Sequence, residues 1–327
     1  MRKLYFIINP QAKNGQCQKL WLQIEQQLCE RNVSYFAFFT KYRGNAREIA
    51  ESLSKKSDGD EIIITAVGGD GTLHEVINGI VGHPNVLVAY IPGGSGNDFS
   101  RGFSVPKNPL EALDVLLRLK AKNPLAIDVG KITNQEQNQT YFINNMGVGF
   151  DALISKKANC SKVKGWLNRM SLGRLVYVYI LLREMFTYEC REVTLTIDGE
   201  PYQFDSTWFV TVSNQPFYGG GMKISPNASP TDGVLDVTVV HKLSKIKLLL
   251  VFITVFWGGH ITFKEVRTLR GKQISIQSSQ PLDCHADGEH IGQTPLKIQA
   301  CKHVLPCVIR GIHSVEELKE LSLSDRH

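Results

Sequence analysis

The 327 residues are 43% hydrophobic and 21% charged, with a formal net charge of +6 at neutral pH. That make-up describes a globular chain with room for two cores, and its mild basicity is too weak to suggest a nucleic-acid binder. Seven cysteines form no CxxC pair, which points to reduced thiols in a cytoplasm rather than a disulfide framework.

The first apolar run, Leu4 to Ile8, ends in Asn9-Pro10-Gln11-Ala12-Lys13-Asn14-Gly15 and has no leader before it. Leu20, Ile24 and Leu28 then mark a helix face between Lys19 and Glu30. Tyr35 to Phe39 reads as a second strand, followed by Thr40 and a helix over Asn45 to Lys55. A third strand, Ile62 to Val67, runs into Gly68-Gly69-Asp70-Gly71-Thr72, after which apolar residues 73, 76, 77 and 80 recur at helical spacing. Val86 to Ile91 repeats the pattern and ends in Pro92-Gly93-Gly94-Ser95-Gly96-Asn97-Asp98-Phe99, with a helix to follow over Leu110 to Lys120. This alternation implies a mostly parallel sheet with helices on both faces. Its loops lie at the carboxyl ends of the strands, where open sheets of this kind bind ligands.

Glycines in such loops let backbone amides and a helix N-terminus approach phosphate closely. An aspartate there would repel bare phosphate, so Asp70 makes sense if it acts through a divalent cation or orients a hydroxyl. For one isolated turn, a tight bend capped by Thr72 is an equally good account; three in a row favour a nucleotide site. The lysine and spacing of a Walker A loop are missing.

Beyond Asp128 strands dominate: Ala126–Ile132, Tyr141–Asn144, Glu192–Ile197, Trp208–Ser213, Val234–His241, Lys272–Ser278, Leu296–Gln299 and Cys307–Gly311. Helical patterns interrupt them around 152–186 and 244–258. The tripeptide Asp198-Gly199-Glu200 marks a hairpin turn, and it recurs at Asp287-Gly288-Glu289. The expected fold is therefore α/β in two domains. Residues 1–128 form an open, mostly parallel nucleotide-binding sheet; 129–307 form an antiparallel, β-sandwich-like domain with helical insertions. A segment at about 308–327, helical over Val315–Leu321, packs back on the first domain. The longest apolar run, Leu248 to Gly258, is about half the ~20 residues needed to cross hydrocarbon and reads as a buried or interfacial helix. Basic clusters at Lys156, Lys157, Lys162, Lys164, Arg169, Arg174 and at Lys242, Lys245, Lys247 are either solvated faces or an attraction to an anionic membrane, at ~1 kcal/mol per residue. Cys284 and His285 alone are too few to define a metal site.

The ordered set formed by Asn9-Pro10 with Gly15, the two glycine loops, Asp128-Val129-Gly130, Asn144 to Asp151, Tyr218-Gly219-Gly220-Gly221-Met222, Asp232 to Asp236 and Asp287-Gly288-Glu289 resembles the diacylglycerol kinase catalytic domain family. That family includes bacterial soluble lipid kinases and the sphingosine kinases, and the resemblance spans nearly the whole chain. It implies an ATP-dependent lipid kinase that moves the γ-phosphate to the hydroxyl of diacylglycerol or a similar lipid, giving phosphatidate. It assigns nucleotide binding to Asn9, Pro10, Gln11, Ala12, Lys13, Thr40, Gly68, Gly69, Asp70, Gly71, Thr72, Glu75, Gly94, Ser95 and Asn97. Catalytic Mg2+ would be held through water by Asp70, Asp98 and Asp128. A structural Mg2+ would use the Asp232 carboxylate and the carbonyls of Ser229 and Val234. Asp70 is also catalytic, and the base is either Asp287 or Glu289, with Asp198-Gly199-Glu200 as an internal control. Gly96 departs from the threonine or serine common in relatives, and Gln11 and Ala12 have no assigned role beyond lining the loop.

The implied partners are ATP and a lipid reached peripherally at an anionic membrane surface in the cytoplasm, without nucleic acid; a homodimer is left open. Two other functions share part of the pattern. GGDGT occurs in NAD kinases, and a non-catalytic nucleotide-binding regulator could keep the fold. Asn97-Asp98-Phe99, the late Asp287-Gly288-Glu289 and the intact acids favour the lipid kinase.

Overall fold

The computed structural model describes residues 2–120, 122–160 and 173–310. One unit runs to Ile127 and takes up the chain again at Leu305; the other holds Asp128–Val304. The tail at 315–321, together with Lys162, Lys164 and Arg169, lies outside the described residues.

Four parallel strands build the first unit: β1 (Lys3–Ile8), β2 (Phe36–Phe39), β3 (Ile62–Gly68) and β4 (Val86–Pro92). β1 pairs with β2 on one side and β3 on the other, and β3 pairs with β4, so the order is β2-β1-β3-β4. Cys307 adds a late parallel contact beside Val88. Every residue of β3 and β4 is buried, which is why these strands read as unbroken apolar runs rather than alternations. The connecting helices are α1 (Gln16–Glu30), α2 (Asn45–Lys56) and α3 (Asp70–Ile80), with a short α4 (Asp98–Gly102) and α5 (Pro109–Leu119) after β4. From β1 the chain moves outward to β2, then returns past β1 to β3 and on to β4. The order reverses between β1 and β3, and at such a switch point the loops diverge and leave a crevice.

Helix α3 is fixed against α2 by two devices. Glu75 accepts the Gly44 and Ala46 backbone N–H groups, at 2.7 and 3.1 Å, and so caps the otherwise unsatisfied start of α2. Gly79 gives the second: a Cβ there would stand 2.6 Å from the Arg47 carbonyl oxygen and 2.9 Å from Ala50 Cβ.

The second unit is antiparallel. β5 (Leu125–Asn134) pairs with β6 (Gln139–Phe142). β7 (Asn145–Gly149), β8 (Arg191–Ile197) and the long β9 (Glu200–Ser213) follow, β9 bonding β8 along its first half and β7 along its second. After a small hairpin, β10 (Phe217–Tyr218) with β11 (Met222–Lys223), β12 (Leu235–His241) pairs with β9 and with β13 (Val266–Gly271). β14 (Gln273–Ser278) bridges β8 and β17 (Leu296–Cys307), while β15 (Asp283–Ala286) joins β7 to β16 (Glu289–Gln293). The core between these strands includes Phe142, Val148, Val210, Val212, Val237 and Ile276. A second cluster, with Phe150, Trp208 and Val251, seats helices α6 (Phe150–Cys160), α7 (Gly173–Thr187) and α8 (Lys245–Thr254).

Several strands were not legible in the sequence, and one expected strand is not separate. Asn145-Met146-Gly147-Val148-Gly149 lacks the β-branched run that marks a strand, and Val266–Gly271 hides its pattern under two arginines. Cys307 ends β17 rather than opening a separate strand. Lys156, Lys157, Lys242 and Lys247 are not simply solvated charge: they pair with Asp283, Glu184, Asp205 and Glu265.

Glycine inside a helix normally costs ~1 kcal/mol relative to alanine. At Gly79 the sign should invert, because the added methyl meets the α2 backbone. Gly79→Ala should lower unfolding stability by ~1–3 kcal/mol in urea titration; a stabilised variant would show that α2 and α3 do not need this contact.

Candidate active site

The carboxyl ends of β1, β2, β3 and β4 bring Asn9, Thr40, Gly68 and Pro92 to one edge of the parallel sheet, since Ile8 pairs with Phe39 and Val67, and Gly68 with Pro92. Two glycine loops interlock there. A Cβ on Gly94 would stand 2.4 Å from the Cα of Gly69, and one on Gly93 would stand 2.8 Å from Cys17 Sγ. Only glycine permits this backbone-on-backbone contact. Asp70, in the first turn of α3, reaches across it: its carboxylate oxygens accept the N–H groups of Asp98 and Phe99, both at 3.1 Å, and so cap α4.

Several further groups lock the loops. Asn9 Nδ2 donates to Thr72 Oγ1 at 3.1 Å, tying the β1 loop to α3. Asn97, in the left-handed region at φ 55°, accepts the Gly94 N–H and donates to the Gly94 carbonyl. The buried Tyr90 hydroxyl lies 3.0 Å from the Gly68 carbonyl and 2.9 Å from Asn97 Oδ1, with its single proton serving either acceptor. Burial, then the charges of Asp70 and Asp98, push this phenol well above its usual range, so it remains a neutral donor. Arg101 bonds the Gly96 carbonyl and pairs with Asp98 at 3.1 Å. Lys13, Asn14 and Gly15 are consecutive left-handed residues (φ 51°, 57° and 83°) leading into α1, in a turn closed by the Gly15 N–H donating to the Gln11 carbonyl. Gln11 and Lys13 are exposed in it and Ala12 is half-buried.

The Asp287-Gly288-Glu289 turn is a different construction. The Asp287 carboxylate accepts three backbone N–H groups, from Ile143, Asn144 and Asn145, at 2.9–3.2 Å, while its own N–H donates to the Asn145 carbonyl. Ser155 Oγ donates to the Gly288 carbonyl, and the Gly288 N–H donates to His285 Nδ1 at 3.2 Å. That bond requires the proton of neutral His285 on Nε2, which faces Asp151 Oδ2 at 3.4 Å. Gly147 makes room for the pair, since a Cβ would collide with both. Below the turn lie buried amides: Asn214 Nδ2 bonds the carbonyls of Asp128 and Ile143, and Gln215 Nε2 bonds Asn144 Oδ1.

The matching tripeptide repeats half of this. Asp198 accepts the N–H groups of Lys272 and Gln273, and its N–H donates to the Gln273 carbonyl. Both aspartates therefore anchor a hairpin, and the tripeptides differ in the glutamate: Glu200 is exposed, whereas Glu289 is half-buried beside α6.

The residues proposed for metal fall into two groups. Asp70 spends one acceptor position of each oxygen on α4, and a carboxylate offers about four. Gly96 keeps the approach to it open, because a Cβ there would stand 3.0 Å from Asp70 Oδ2. This donor set, with Asp98 beside it, fits a hydrated cation. Asp128, in the second unit, is held by backbone amides. Its buried oxygens accept the Gly233 and His303 N–H groups, at 2.6 and 2.7 Å, clamping the 229–234 loop to β17. Burial raises its carboxyl above the usual range, and the two amides oppose this. Among the described residues no three His, Cys, Asp or Glu side chains gather as a metal site. Asp70 and Asp98 lie together in the first unit, and Asp128, in the second, serves as a clamp. Asp232 is also occupied: it accepts its own turn's Val234 N–H and pairs with Arg270. Arg270 Nε lies 3.4 Å from Asp236, whose carboxyl burial pushes up to about 6. The Arg270 guanidinium thus takes up one Asp232 oxygen at the loop where the resemblance implies a second metal held by Ser229, Asp232 and Val234.

Tyr90, Ser155, Asn214 and Gln215 stood inside ordinary-looking segments, and nothing in their spacing marked them. Glu75 was expected at the nucleotide, and its carboxylate is found holding α2.

Residues 3–132 match the diacylglycerol kinase catalytic domain, and residues 144–312 match the YegS C-terminal NAD kinase beta sandwich-like domain. A Bacillus subtilis protein named "Putative lipid kinase YtlR" is 33% identical, over 91% of this chain and 96% of its own. A diacylglycerol kinase of Mycobacterium tuberculosis is 29% identical, over 95% and 96% of the two chains. The crystal structure of a putative diacylglycerol kinase from Bacillus anthracis superposes with a TM-score of 0.71 at 26% identity, covering 94% of this chain and 97% of that one. The chain belongs to the diacylglycerol kinase family and is a kinase, for which ATP is the implied phosphoryl donor.

Gly94→Ala should separate the two loops. Calorimetry should show ATP binding lost while circular dichroism shows the fold retained; unchanged ATP affinity would mean that the interlocked loops do not form the nucleotide cradle.

Proposed function

We propose that this kinase transfers the γ-phosphoryl group of ATP to the hydroxyl of diacylglycerol or a similar lipid, giving phosphatidate or its analogue. The observation that carries the reading is the pair of interlocked glycine loops at the carboxyl ends of β3 and β4 in the parallel sheet. The printed names of the relatives, lipid kinase and diacylglycerol kinase, supply the acceptor class and favour it over an NAD kinase.

Phosphoryl transfer asks a protein mainly for positioning and for stabilising charge on the transferred group. Backbone amides within Gly68–Thr72 and Gly94–Asn97, other than those of Thr72 and Gly94, which bond Gly69 and Asn97, bind phosphate oxygens, helped by the N-terminus of α3, and Asn9, Lys13 and Thr40 border the nucleotide. Asp70 and Asp98 hold hydrated Mg2+, which neutralises phosphate charge when bound. Asp70 has a double duty, since the same carboxylate sets the loop that carries Asp98.

Glu289 is the base that takes the proton of the acceptor hydroxyl. Asp287 is a positioning residue: with three amides on its carboxylate, it fixes the turn that presents Glu289. Ser155 and the His285–Asp151 pair brace the same turn from the α6 side.

Labelled ATP and magnesium with a lipid panel would test the assignment, and label should enter diacylglycerol or a close relative; label in NAD alone would reject it. Glu289→Gln should cut kcat by ~10²–10⁴-fold with an unchanged unfolding midpoint. Asp287→Asn should lower both kcat and the midpoint, and Asp198→Asn the midpoint alone. Normal turnover by Glu289→Gln would remove the base from this position. Asp70→Asn should abolish turnover, and a folded, fully active variant would exclude its metal role.

A further inference from the structure

Helix α8 is apolar on both sides, yet among the described residues only one side is covered. Leu248, Val251 and Val255 are buried in the second unit. Ile246, Leu250, Ile253 and Trp257, spaced along the opposite stripe, are 78%, 59%, 55% and 63% exposed. Phe256 is 53% exposed on the turn that follows, and Phe186, at the end of α7, is 66% exposed. The two helix ends are joined, because Lys245 Nζ donates to the Phe186 carbonyl. Scattered exposed leucines need no explanation, but six large side chains on two joined helix ends form a patch that does.

We infer that this face inserts into the interfacial layer of an anionic bilayer and seats the kinase on the membrane holding its substrate. The inference rests on the lipid acceptor proposed above. Charge decides between a bilayer and a second copy of the chain. From Lys242 to Arg267 the sequence carries five bases (Lys242, Lys245, Lys247, Lys264 and Arg267) and a single acid, Glu265. In a two-fold dimer each patch would meet its own image, so the bases not paired with Asp205 or Glu265, namely Lys245, Lys264 and Arg267, would face their own kind. An anionic headgroup layer offers the opposite sign, with lysine stems able to lie along the apolar surface while their ammonium groups stay wet. Two lysines at the start of α8 also oppose the helix dipole, which helix stability alone would not favour. Trp257 at the rim suits the boundary between headgroups and acyl chains. The helix is too short to span: among the described residues no helix is long and apolar enough to cross a membrane. It lies on the surface instead.

Because Lys242 and Lys247 are already paired with Asp205 and Glu265, the apolar stripe contributes more than the charge, and binding should survive moderate salt. The test is cosedimentation with vesicles of equal parts phosphatidylcholine and phosphatidylglycerol, comparing the wild type with Leu250→Ser/Trp257→Ser. The double variant should lose vesicle binding by ~10-fold or more. Its rate toward a short-chain, monomeric diacylglycerol and its unfolding midpoint should match the wild type, because neither side chain is buried. Unimpaired cosedimentation of the variant, or no binding by the wild type, overturns the inference. So does a wild-type dimer in light scattering that the variant splits, since a second copy would then be the occupant. Failure of the wild type to phosphorylate the short-chain lipid while still binding vesicles would reject the lipid-kinase reading and leave the membrane face standing.

Discussion

The contact between Gly69 and Gly94 governs the arrangement of the first unit's loops. Two backbones that would ordinarily be kept apart by side chains touch just beyond β3 and β4, and these two strands must end in register for this to happen. The requirement propagates outward. Tyr90 has to be buried beneath the loops to bond Gly68 and Asn97, and Cys17 has to sit low enough to clear Gly93. Asp70 then closes the assembly by capping α4. In the metal role proposed for Asp70, structure and chemistry would draw on the same oxygens.

The second unit solves an analogous problem with buried amides. Asp128, Asn214, Gln215 and Asp287 together satisfy backbone groups of the 143–145 segment, the 229–234 loop and β17. Buried polar groups left unpaired are costly, so such a network tolerates few alternative arrangements and specifies one geometry. The exception is Asn214 Oδ1, which is buried without a partner. The turn bearing Glu289 inherits this rigidity through Asp287.

Much of the first unit was legible because its strands are buried on both faces and its loops carry glycine where no other residue serves. The sequence also named Asp70, Asp98, Asp128, Asp232, Asp287 and Glu289, but residue type could not distinguish an acid that meets a ligand from one that meets a backbone amide. Asp128, Asp198, Asp232 and Asp287 all turned out to accept main-chain N–H groups. That distinction depends on which distant segment arrives beside the carboxylate, and no local pattern records it. The paired tripeptides illustrate the point: identical in sequence and turn, they differ in whether a helix covers the glutamate. Helix α8 shows another limit: its apolar run reads as buried or interfacial, because such a run reports affinity for apolar surroundings without saying whether protein provides them.

Cys307 beside Val88 has a consequence for how the chain is made. The second unit is continuous in sequence, whereas the first needs residues that follow it. During synthesis, β1 to β4 emerge first, yet the outer edge of β4 lacks this neighbour until more than two hundred further residues have been added. An apolar strand with open backbone groups is a site for improper pairing with other chains. The domain translated first is thus the one completed last, and the nascent protein depends on the prompt folding of its inserted half to shorten that exposure.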